Sequence, residues 1–343
     1  MENKIRLSGL TLSELKTVAS QVSLPAYAAG QIAEWIYKKR VTSIGEMTNI
    51  SAAKRELISE SYEVGVAAPV KESRSVDGTI KYLYAVGNGS RFVESVYIPS
   101  NERATLCVSS QIGCKMNCLF CMTGKQGFAG QLTANEILNQ IQSLPENDKL
   151  TNIVFMGMGE PFDNSEELLK VLEILTAPYG YAWSPKRITV STIGIIPGLK
   201  RFLEESSCNL AISLHSPYHE ERLSLMPAEK AYHIDNVIDL LHEYDFSHQR
   251  RLSFEYILFD GINDDERHAK DLSKLLKGIY CRVNLIRFHA IPDVKLKSST
   301  EWKMATFRDT LNLSGVISTI RVSRGEDVYA ACGMLSTAKN IKK

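Results

Sequence analysis

The sequence predicts an α/β fold, in which a small helical domain and a β-meander precede a partial (β/α)6 barrel. Residues 1–62 show helical periodicity, residues 68–110 alternate with period two, and beyond about residue 105 short apolar strands alternate with helices. Such alternation is typical of parallel strands in a βα barrel or an open sheet. We therefore expect a helical domain over residues 1–62, a linking meander over 63–104 and a barrel core over 105–335.

The helices of the amino-terminal region are predicted from a cap and from spacing. Thr11 and Glu14 form a capping box ahead of a periodic segment. Ile32, Trp35 and Ile36 then follow at i, i+3 and i+4, as one face of a second helix requires. The basic residues that end this helix favour its macrodipole, so they do not by themselves indicate nucleic-acid binding.

The meander is predicted from turns and alternation. Asp77-Gly78 is a turn signal, and Tyr82 and Tyr84 follow at alternate positions. Strands over residues 92–98 and 105–109 come next. These strands lead the chain into the core.

The core is predicted from the order of its elements. The expected strands cover residues 153–156, 187–191, 209–215, 252–258 and 282–286, and the expected helices cover residues 165–176, 197–206, 234–245 and 264–277. Polar motifs lie just after the ends of these strands, which is the catalytic face of such folds. The sequence therefore predicts a site at the carboxyl ends of the strands.

The composition is that of an ordinary globular protein. Of 343 residues, 44% are hydrophobic and 23% are charged, and no apolar run approaches the ~20 residues of a membrane helix. The amino terminus lacks the apolar segment of a secretory leader, so we expect a cytoplasmic protein with reduced thiols and no membrane association. The net charge of +1 does not indicate a nucleic-acid binder, and the basic excess at both ends suits either phosphate contacts or an ordinary solvated surface.

Three cysteines form the most specific motif of the chain. Cys114, Cys118 and Cys121 have C-x3-C-x2-C spacing, and three thiolates within eight residues can hold three irons of a cubane cluster. The fourth iron then has an open position, where chemistry can occur. A structural zinc site is the alternative, but zinc takes four ligands, the nearest histidine is His215, and no second C-x2-C follows.

Polar residues at the strand ends are candidates to bind a small molecule. Gly159 and Glu160 lie in a Gly-Met-Gly-Glu-Pro segment, where glycine lets the backbone approach a ligand and Glu160 could accept hydrogen bonds from an ammonium group. Ser191 and the run Ser213-Leu214-His215 offer hydroxyl and imidazole groups for a ribose and a carboxylate. A glycine turn, a serine cap and a structural histidine are the alternative interpretations.

The remaining cysteines divide into two groups. Cys332 lies in an Ala-Ala-Cys-Gly segment near the carboxyl terminus, which suits an accessible, reactive thiol as well as a spare buried one. Cys107 precedes the triplet by seven residues, in a predicted strand. Cys208 and Cys281 fall at strand starts and are interpreted as core.

Four segments resemble one family when they are taken in order. They are Glu-Ser-Val-Tyr-Ile-Pro at 94–99, Thr-Leu-Cys-Val-Ser-Ser-Gln-Ile-Gly-Cys at 105–114, Gly-Met-Gly-Glu-Pro at 157–161 and Ala-Ala-Cys-Gly at 330–333. The chain is similar over nearly its whole length to the RlmN/Cfr family of radical S-adenosylmethionine (SAM) enzymes. The RlmN branch methylates adenine C2 in 23S rRNA and tRNA, and the Cfr branch methylates C8 of the same rRNA adenine. The amino-terminal region and the residues before Cys114 look more like the RlmN branch.

The resemblance implies a fold, a cluster and a set of SAM contacts. Residues 105–335 would form a radical SAM barrel, with one [4Fe-4S] cluster held by Cys114, Cys118 and Cys121. The residues that match the family's SAM contacts are Gly159, Glu160, Ser191, Ser213, Leu214, His215 and His289. His289 departs from the family pattern, which usually has asparagine there, and imidazole cannot offer the paired donor and acceptor of an amide. Residues 1–62 would be an RNA-binding accessory domain.

The resemblance also implies a relay through a methylated cysteine, because adenine C2 is too electron-poor to attack the methyl group of SAM. One SAM methylates Cys332, and a second SAM yields the radical that takes a hydrogen atom from the S-methyl group. Glu94 is the expected acceptor of the ring proton, although its place in a strand also suits an ordinary structural carboxylate. Cys107 is the expected resolving thiol, which forms a transient disulfide with Cys332.

The expected partners are 23S rRNA and tRNA, recognised mainly by shape and phosphate contacts once the target base has left its stack. A reductant of the flavodoxin or ferredoxin type is also expected, and the protein should be a monomer. No aromatic stacking motif for the base is evident in the sequence. The alternatives left open are the C8 methylase and a non-catalytic, metal-stabilised RNA-binding protein, which would tolerate zinc.

Overall fold

A ten-stranded mixed sheet forms the centre of the protein, in a computed structural model that describes residues 4–248 and 250–337. The strands, in chain order, are β1 (Ile5–Arg6), β2 (Tyr62–Glu63), β3 (Lys71–Arg74), β4 (Ile80–Val86), β5 (Arg91–Pro99), β6 (Ala104–Cys107), β7 (Gln111–Gly113), β8 (Phe128–Gln131), β9 (Asn152–Phe155), β10 (Ile188–Thr192), β11 (Asn209–Ser213), β12 (Leu252–Leu258), β13 (Arg282–Arg287) and β14 (Ile317–Ile320). The α-helices are α1 (Leu12–Gln21), α2 (Ala28–Ala33), α3 (Ala52–Ser61), α4 (Met122–Gln126), α5 (Ala134–Gln142), α6 (Ser165–Thr176), α7 (Ile196–Glu205), α8 (His219–Leu225), α9 (Ile234–His242), α10 (Glu266–Leu275) and α11 (Glu301–Leu313).

The parallel part of the sheet runs in chain order from β6 through β9, β10, β11, β12 and β13 to β14. Helices α5, α6, α7, α9, α10 and α11 lie in the crossovers between neighbouring parallel strands. On the other side of β6, the strands β5, β4 and β3 continue the sheet in antiparallel order. Among the described residues β14 and β3 are its two open ends, so the predicted α/β fold with a partial (β/α)6 barrel is confirmed, with β14 added after the sixth βα unit.

Most core elements lie within a few residues of their predicted bounds. Strand β12 and helix α6 coincide with the predicted ranges. The strand predicted over 209–215 ends at Ser213, because His215 has a φ of 60°, which interrupts the extended chain. In the part of the chain that the structure describes, no helix is long and apolar enough to cross a membrane.

The elements that were not predicted from sequence include β3, β14 and α11. Strand β3 reads Lys-Glu-Ser-Arg and lacks an apolar face. Helix α11 buries Met304, Phe307 and Leu311 but exposes Trp302 and Leu313, so its apolar residues do not mark a single face. These elements are stabilised by contacts with neighbouring strands and helices rather than by a pattern of apolar residues in their own sequence.

Helix α5 joins the amino-terminal helices to the barrel, and all nine of its residues are buried. The hydroxyl of Ser8 donates to Gln142 Oε1 at 3.0 Å, and Gln142 Nε2 donates to the carbonyl oxygen of Ile36 at 3.1 Å. From the meander, the hydroxyl of Tyr84 donates to the carbonyl oxygen of Gln140 at 3.4 Å. The apolar residues of α1, α2 and α3 belong to the same continuous core as those of the barrel.

The meander presents different residues on its two faces, because successive strand side chains alternate. Tyr84 and its neighbours on one face pack against α5. On the other face the register places Leu83 opposite Glu94, Lys81 opposite Val96, and Val96 opposite Cys107. Lys81, Glu94 and Cys107 therefore share the face that turns away from α5.

A buried ion pair fixes the loops after β10 and β11. Arg222 in α8 is 1% exposed and pairs with Glu229, which is fully buried. Its guanidinium donates to the carbonyl oxygens of Ile193 at 2.6 Å and of Leu214 at 3.2 Å. Burial lowers the pKa of Arg222 to about 10, so the side chain stays charged at neutral pH. One side chain thus holds two adjacent strand ends in place.

We predict that Arg222→Met destabilises the protein by about 3–5 kcal/mol, because it leaves the Glu229 carboxylate buried without its partner. Urea unfolding followed by circular dichroism measures the change. Arg222→Met combined with Glu229→Leu is the matched control, and it should recover most of the loss because no lone charge remains. A single variant as stable as the parent protein, or a double variant no better than the single one, would contradict the prediction.

Candidate active site at the cysteine loop

The cysteine triplet lies in a loop between β7 and α4, at the carboxyl ends of the parallel strands. Backbone hydrogen bonds shape the loop: the amide of Cys114 donates to the Gly127 carbonyl at 3.1 Å and that of Cys121 to the Cys118 carbonyl at 3.1 Å. The amide of Leu119 donates to the carbonyl of Leu225, the last residue of α8, at 2.8 Å. The loop is therefore attached to the barrel independently of any metal.

Phe120 attaches the same loop through aromatic packing. Its ring meets His215 edge-on at 4.8 Å and Phe259 at 5.6 Å, and Phe259 in turn contacts Phe288 at 5.2 Å. These partners follow β11, β12 and β13. The aromatic residue before the last cysteine thus seats the loop on three strand ends.

The spacing of the cysteine sulfurs distinguishes a cluster from a single ion. Two sulfurs bound to one zinc lie at most about 4.6 Å apart, twice the Zn–S distance. Within the described residues the three cysteines do not form a group whose ligand atoms all lie within 4.8 Å of one another. The three thiols are therefore not gathered around one ion in this structure, and a cubane, in which each thiolate binds its own iron, does not require them to be.

Burial keeps the free thiols protonated. It raises the pKa of Cys114 to about 12 and that of Cys118 well above its ordinary value, and in both cases the neighbouring acidic groups add to the effect. A thiolate at these positions needs a strong positive charge beside it, which iron supplies. Loading the cluster must therefore release protons.

Among the described residues, one group of possible metal ligands has all its ligand atoms within 4.8 Å of one another: His219, Glu229 and His233. The two imidazole rings stack, with centroids 4.4 Å apart and planes 13° apart. A ring nitrogen directs its lone pair in the ring plane, so two stacked rings cannot both direct one at the same ion. Glu229 is also already paired with Arg222. We therefore assign no metal to this group.

Gly159 and Glu160 lie where the sequence places them, after β9. Gly159 has a φ of 98°, and a Cβ there would come within 2.7 Å of Gln111 Cγ, so only glycine fits. The carboxylate of Glu160 is buried and accepts from the amides of Phe162 at 3.1 Å and Ile193 at 3.0 Å. Burial raises the pKa of Glu160 to about 7, so a bound ammonium group would favour its ionised form.

The remaining predicted contacts occupy the same face. Ser191 and Ser213 are half-buried near the ends of β10 and β11, and Leu214 is buried beside Arg222. The ring of His215 is buried, and its Nδ1 accepts from the amide of Ile257 at 3.0 Å, so a neutral ring carries its proton on Nε2. Burial lowers the pKa of His215 to about 3, which keeps the ring neutral. The structure gives His215 a supporting role beneath Phe120.

His289 follows β13 and is buried. Its Nδ1 lies 3.3 Å from Glu326 Oε1 without hydrogen-bonding geometry, so this nitrogen is an unpaired buried atom. His289 thus presents a polar atom toward the segment that carries Cys332.

The carboxyl-terminal segment, residues 325–337, docks on the cysteine loop. The amide of Met122 donates to the Gly333 carbonyl at 2.7 Å, and Thr123 Oγ1 donates to the Leu335 carbonyl at 2.7 Å. Gly333 has a φ of 79°, and a Cβ there would lie 3.2 Å from the carbonyl oxygen of Phe120. The small residue after Cys332 is therefore needed for the close approach of the two segments.

The same segment is also held by the meander. The carboxylate of Glu94 accepts from the Ser336 amide at 3.0 Å and pairs with Lys81 Nζ at 3.1 Å. Lys81 Nζ also donates to the carbonyl oxygen of Tyr329 at 3.3 Å. Glu94 is 3% exposed, and burial raises its pKa despite the opposing charge of Lys81.

Cys332 thereby comes into electrostatic range of both Cys107 and Cys121. Burial raises the pKa of Cys107 to about 12, and the charge of Cys332 adds to the effect. Solvent reaches Cys332, yet the surrounding protein desolvates its thiol enough to raise its pKa, with further contributions from Glu255 and Cys121. The segment that carries Cys332 thus lies against Glu94, beside the cysteine loop, and Cys332 lies within electrostatic range of Cys107.

Sequence reasoning missed two residues of this site. Lys81 was not predicted as a site residue, although the alternation of the meander indicates it. Tyr82 and Tyr84 share one face of β4, so Lys81 lies on the opposite face, together with Glu94. Arg222 carried no local signal, because an arginine on a short helix normally lies in solvent. Its role becomes visible only once α8 packs against the strand ends.

The comparisons with known proteins identify the family of the chain. Residues 108–272 match the family model of the radical SAM superfamily, and residues 5–64 match that of the ribosomal RNA large subunit methyltransferase N-terminal domain. A radical SAM methyltransferase from Sphaerobacter thermophilus, known from its crystal structure, aligns with a TM-score of 0.90 and 36% identity, over 96% of this chain and 99% of that one.

Curated relatives match this chain over nearly its full length. A probable dual-specificity RNA methyltransferase RlmN of Parabacteroides distasonis is 71% identical, over 99% of this chain and 99% of the relative. A dual-specificity RNA methyltransferase RlmN of Syntrophus aciditrophicus is 39% identical, over 97% of each chain. The barrel, the cysteine loop and these full-length similarities together show that the chain belongs to the RlmN family of dual-specificity RNA methyltransferases within the radical SAM superfamily.

Proposed function

We propose that the protein methylates C2 of an adenine in the peptidyl transferase centre of 23S rRNA and of the adenine 3′ of the anticodon in tRNAs. The observation that supports the proposal is the docking of the Cys332 segment on the cysteine loop and on Glu94, which brings Cys332 within electrostatic range of Cys107. A base, a resolving thiol and an accessible thiol are the side chains that a methyl relay requires. A non-catalytic RNA-binding protein would need none of them.

Membership in the radical SAM superfamily implies a [4Fe-4S] cluster and SAM. Cys114, Cys118 and Cys121 fit the cluster, since the three free thiols lie on one short loop at the carboxyl ends of the strands, and burial keeps Cys114 and Cys118 protonated without a metal. When bound, these groups supply a transferable methyl group and the one-electron cleavage that C–H activation needs. Gly159, Glu160, Ser191, Ser213, Leu214, His215 and His289 are the proposed residues around SAM, of which Glu160 would pair with its ammonium group.

The protein's own residues then have separate tasks. Cys332 carries the methyl group on its sulfur, and two SAM molecules are consumed in each turnover. Glu94 accepts the proton that leaves the ring carbon, a task that its raised pKa suits. Once deprotonated, Cys107 attacks the sulfur of Cys332, which forms the disulfide and breaks the bond from that sulfur to the methylene carbon. The electron pair of the broken bond stays with the adenine-bound carbon, which takes up a proton from solvent to become the methyl group of the released RNA. An external reductant returns the disulfide to two thiols.

The surroundings of the site are assigned in the same proposal. Residues 1–62 serve as an RNA-binding accessory domain, residues 63–104 as the linking meander, and residues 105–335 as the catalytic core. The protein works as a monomer in the cytoplasm with a reductant of the flavodoxin or ferredoxin type. Basic residues at both ends of the chain would contact phosphates.

The product of anaerobically reconstituted protein with SAM, reductant and a 23S rRNA fragment tests the proposal. Nucleoside mass spectrometry should find 2-methyladenosine, and Cys332→Ala should abolish it, because no thiol then carries the methyl group. Cys208→Ala is the matched control, since this buried cysteine lies at the start of β11, at the opposite end of the strands. An 8-methyladenosine product would move the protein to the Cfr reaction, and no methylated adenosine from protein with an intact cluster would refute the proposal.

We also predict a shift in the pH dependence of the reaction when the partner of Glu94 is removed. Glu94 must be ionised to act as a base, and Lys81 favours the ionised form. In Lys81→Gln the pKa of Glu94 should rise further, so the acid limb of the single-turnover rate should move to higher pH. Lys81→Arg keeps the charge and should keep the limb close to its original position. A limb that stays in place in Lys81→Gln would show that Glu94 is not the base.

A further inference from the structure

A cavity of about 290 Å³ opens beside Glu94, between the meander and the carboxyl-terminal segment. Lys71, Lys81 and Glu94 provide its charged wall, and Met122, which directly follows Cys121, forms part of the opposite side. Tyr329 also lines the cavity. The volume lies at the lower end of the range for small-molecule pockets, and the cavity shares Glu94 with the catalytic group.

Tyr329 has an unusual backbone for a bulky residue. Its φ of 54° and ψ of 45° are left-handed, a conformation that glycine or asparagine adopts at lower cost. The neighbourhood enforces it: the amide of Tyr329 donates to the Glu326 carbonyl at 3.0 Å, that of Ala330 donates to Gly325 at 2.8 Å, and Lys81 binds the Tyr329 carbonyl. Backbone strain that the surrounding structure holds in place is typical of active sites and ligand clamps.

The position of the ring indicates what that use is. Tyr329 is 50% exposed at the cavity and lies three residues before Cys332. An adenine that has left its stack loses the contacts of its two faces, and an aromatic side chain can replace one of them. Lys71, which is exposed at the same cavity, is suited to a phosphate of the same nucleotide.

We propose that Tyr329 is the stacking residue for the extruded adenine, and that the cavity beside Glu94 receives this base. The inference rests on the proposed function and adds a substrate contact to it. A base stacked on Tyr329 would lie beside Glu94, which lines the same cavity, and against the segment that carries Cys332. Because Lys81 contacts both the Tyr329 carbonyl and the Glu94 carboxylate, it would fix the position of the aromatic ring relative to Glu94.

The test compares steady-state kinetics of the holoenzyme with SAM and a 23S rRNA fragment for Tyr329→Phe, Tyr329→Leu and Tyr329→Gly. Tyr329→Phe keeps an aromatic face and should retain the wild-type KM for RNA. Tyr329→Leu should raise KM about tenfold or more, as loss of one base–aromatic stack predicts. Tyr280→Leu is the matched control, because Tyr280 is 63% exposed just before β13, at the end of the strands away from the site.

Tyr329→Gly separates stacking from a structural role. Glycine adopts the left-handed backbone freely, so this variant should unfold at the same or a higher temperature while its KM for RNA rises as in Tyr329→Leu. A KM for Tyr329→Leu within twofold of wild type overturns the inference. The inference is also overturned if the unfolding temperature, the cluster absorbance and the activity of Tyr329→Gly all fall together, because the role of Tyr329 would then be structural. If the wild type itself forms no methylated adenosine, the proposed function fails and the inference fails with it.

Discussion

The hydrogen bonds between the carboxyl-terminal segment and the cysteine loop are the constraint on which the rest of the site depends. The Met122–Gly333 and Thr123–Leu335 bonds place Cys332 next to the loop that would hold the cluster. The Glu94–Ser336 bond attaches the same segment to the meander. Without this docking the barrel would still present its strand ends, but Cys332 would be separated from Glu94 and from Cys107.

The buried charges of the site serve the same geometry in different ways. The guanidinium of Arg222 donates hydrogen bonds to carbonyl oxygens and pairs with Glu229. Its role is therefore to fix the loops after β10 and β11 and not to bind a substrate. Glu94 retains a raised pKa beside Lys81, which suits proton transfer. The Arg222–Glu229 pair thus makes the loops rigid, whereas the Lys81–Glu94 pair influences the protonation state of Glu94.

Much of the fold follows from local sequence pattern, whereas the assembly of the site does not. The period-two alternation of the meander and the strand–helix alternation of the core predict the sheet, because burial on one or both faces dictates those patterns. Strand β3 and the role of Arg222 escape prediction because only tertiary neighbours give them partners. The cysteine triplet identifies the cluster loop, but the approach of Cys332 depends on about two hundred residues of intervening fold, and only the resemblance to a known family suggested it.

The most direct measurement is the disulfide pattern of a variant in which Cys114, Cys118 and Cys121 are replaced by serine. Mild oxidation followed by peptide mass spectrometry then reports which of the remaining cysteines can meet. The account predicts a Cys107–Cys332 disulfide that forms in the folded protein and disappears in Cys107→Ala, with Cys208 and Cys281 remaining free. Oxidation that leaves Cys332 as a free thiol, or that pairs it only with Cys208 or Cys281, would contradict the docking of the carboxyl-terminal segment.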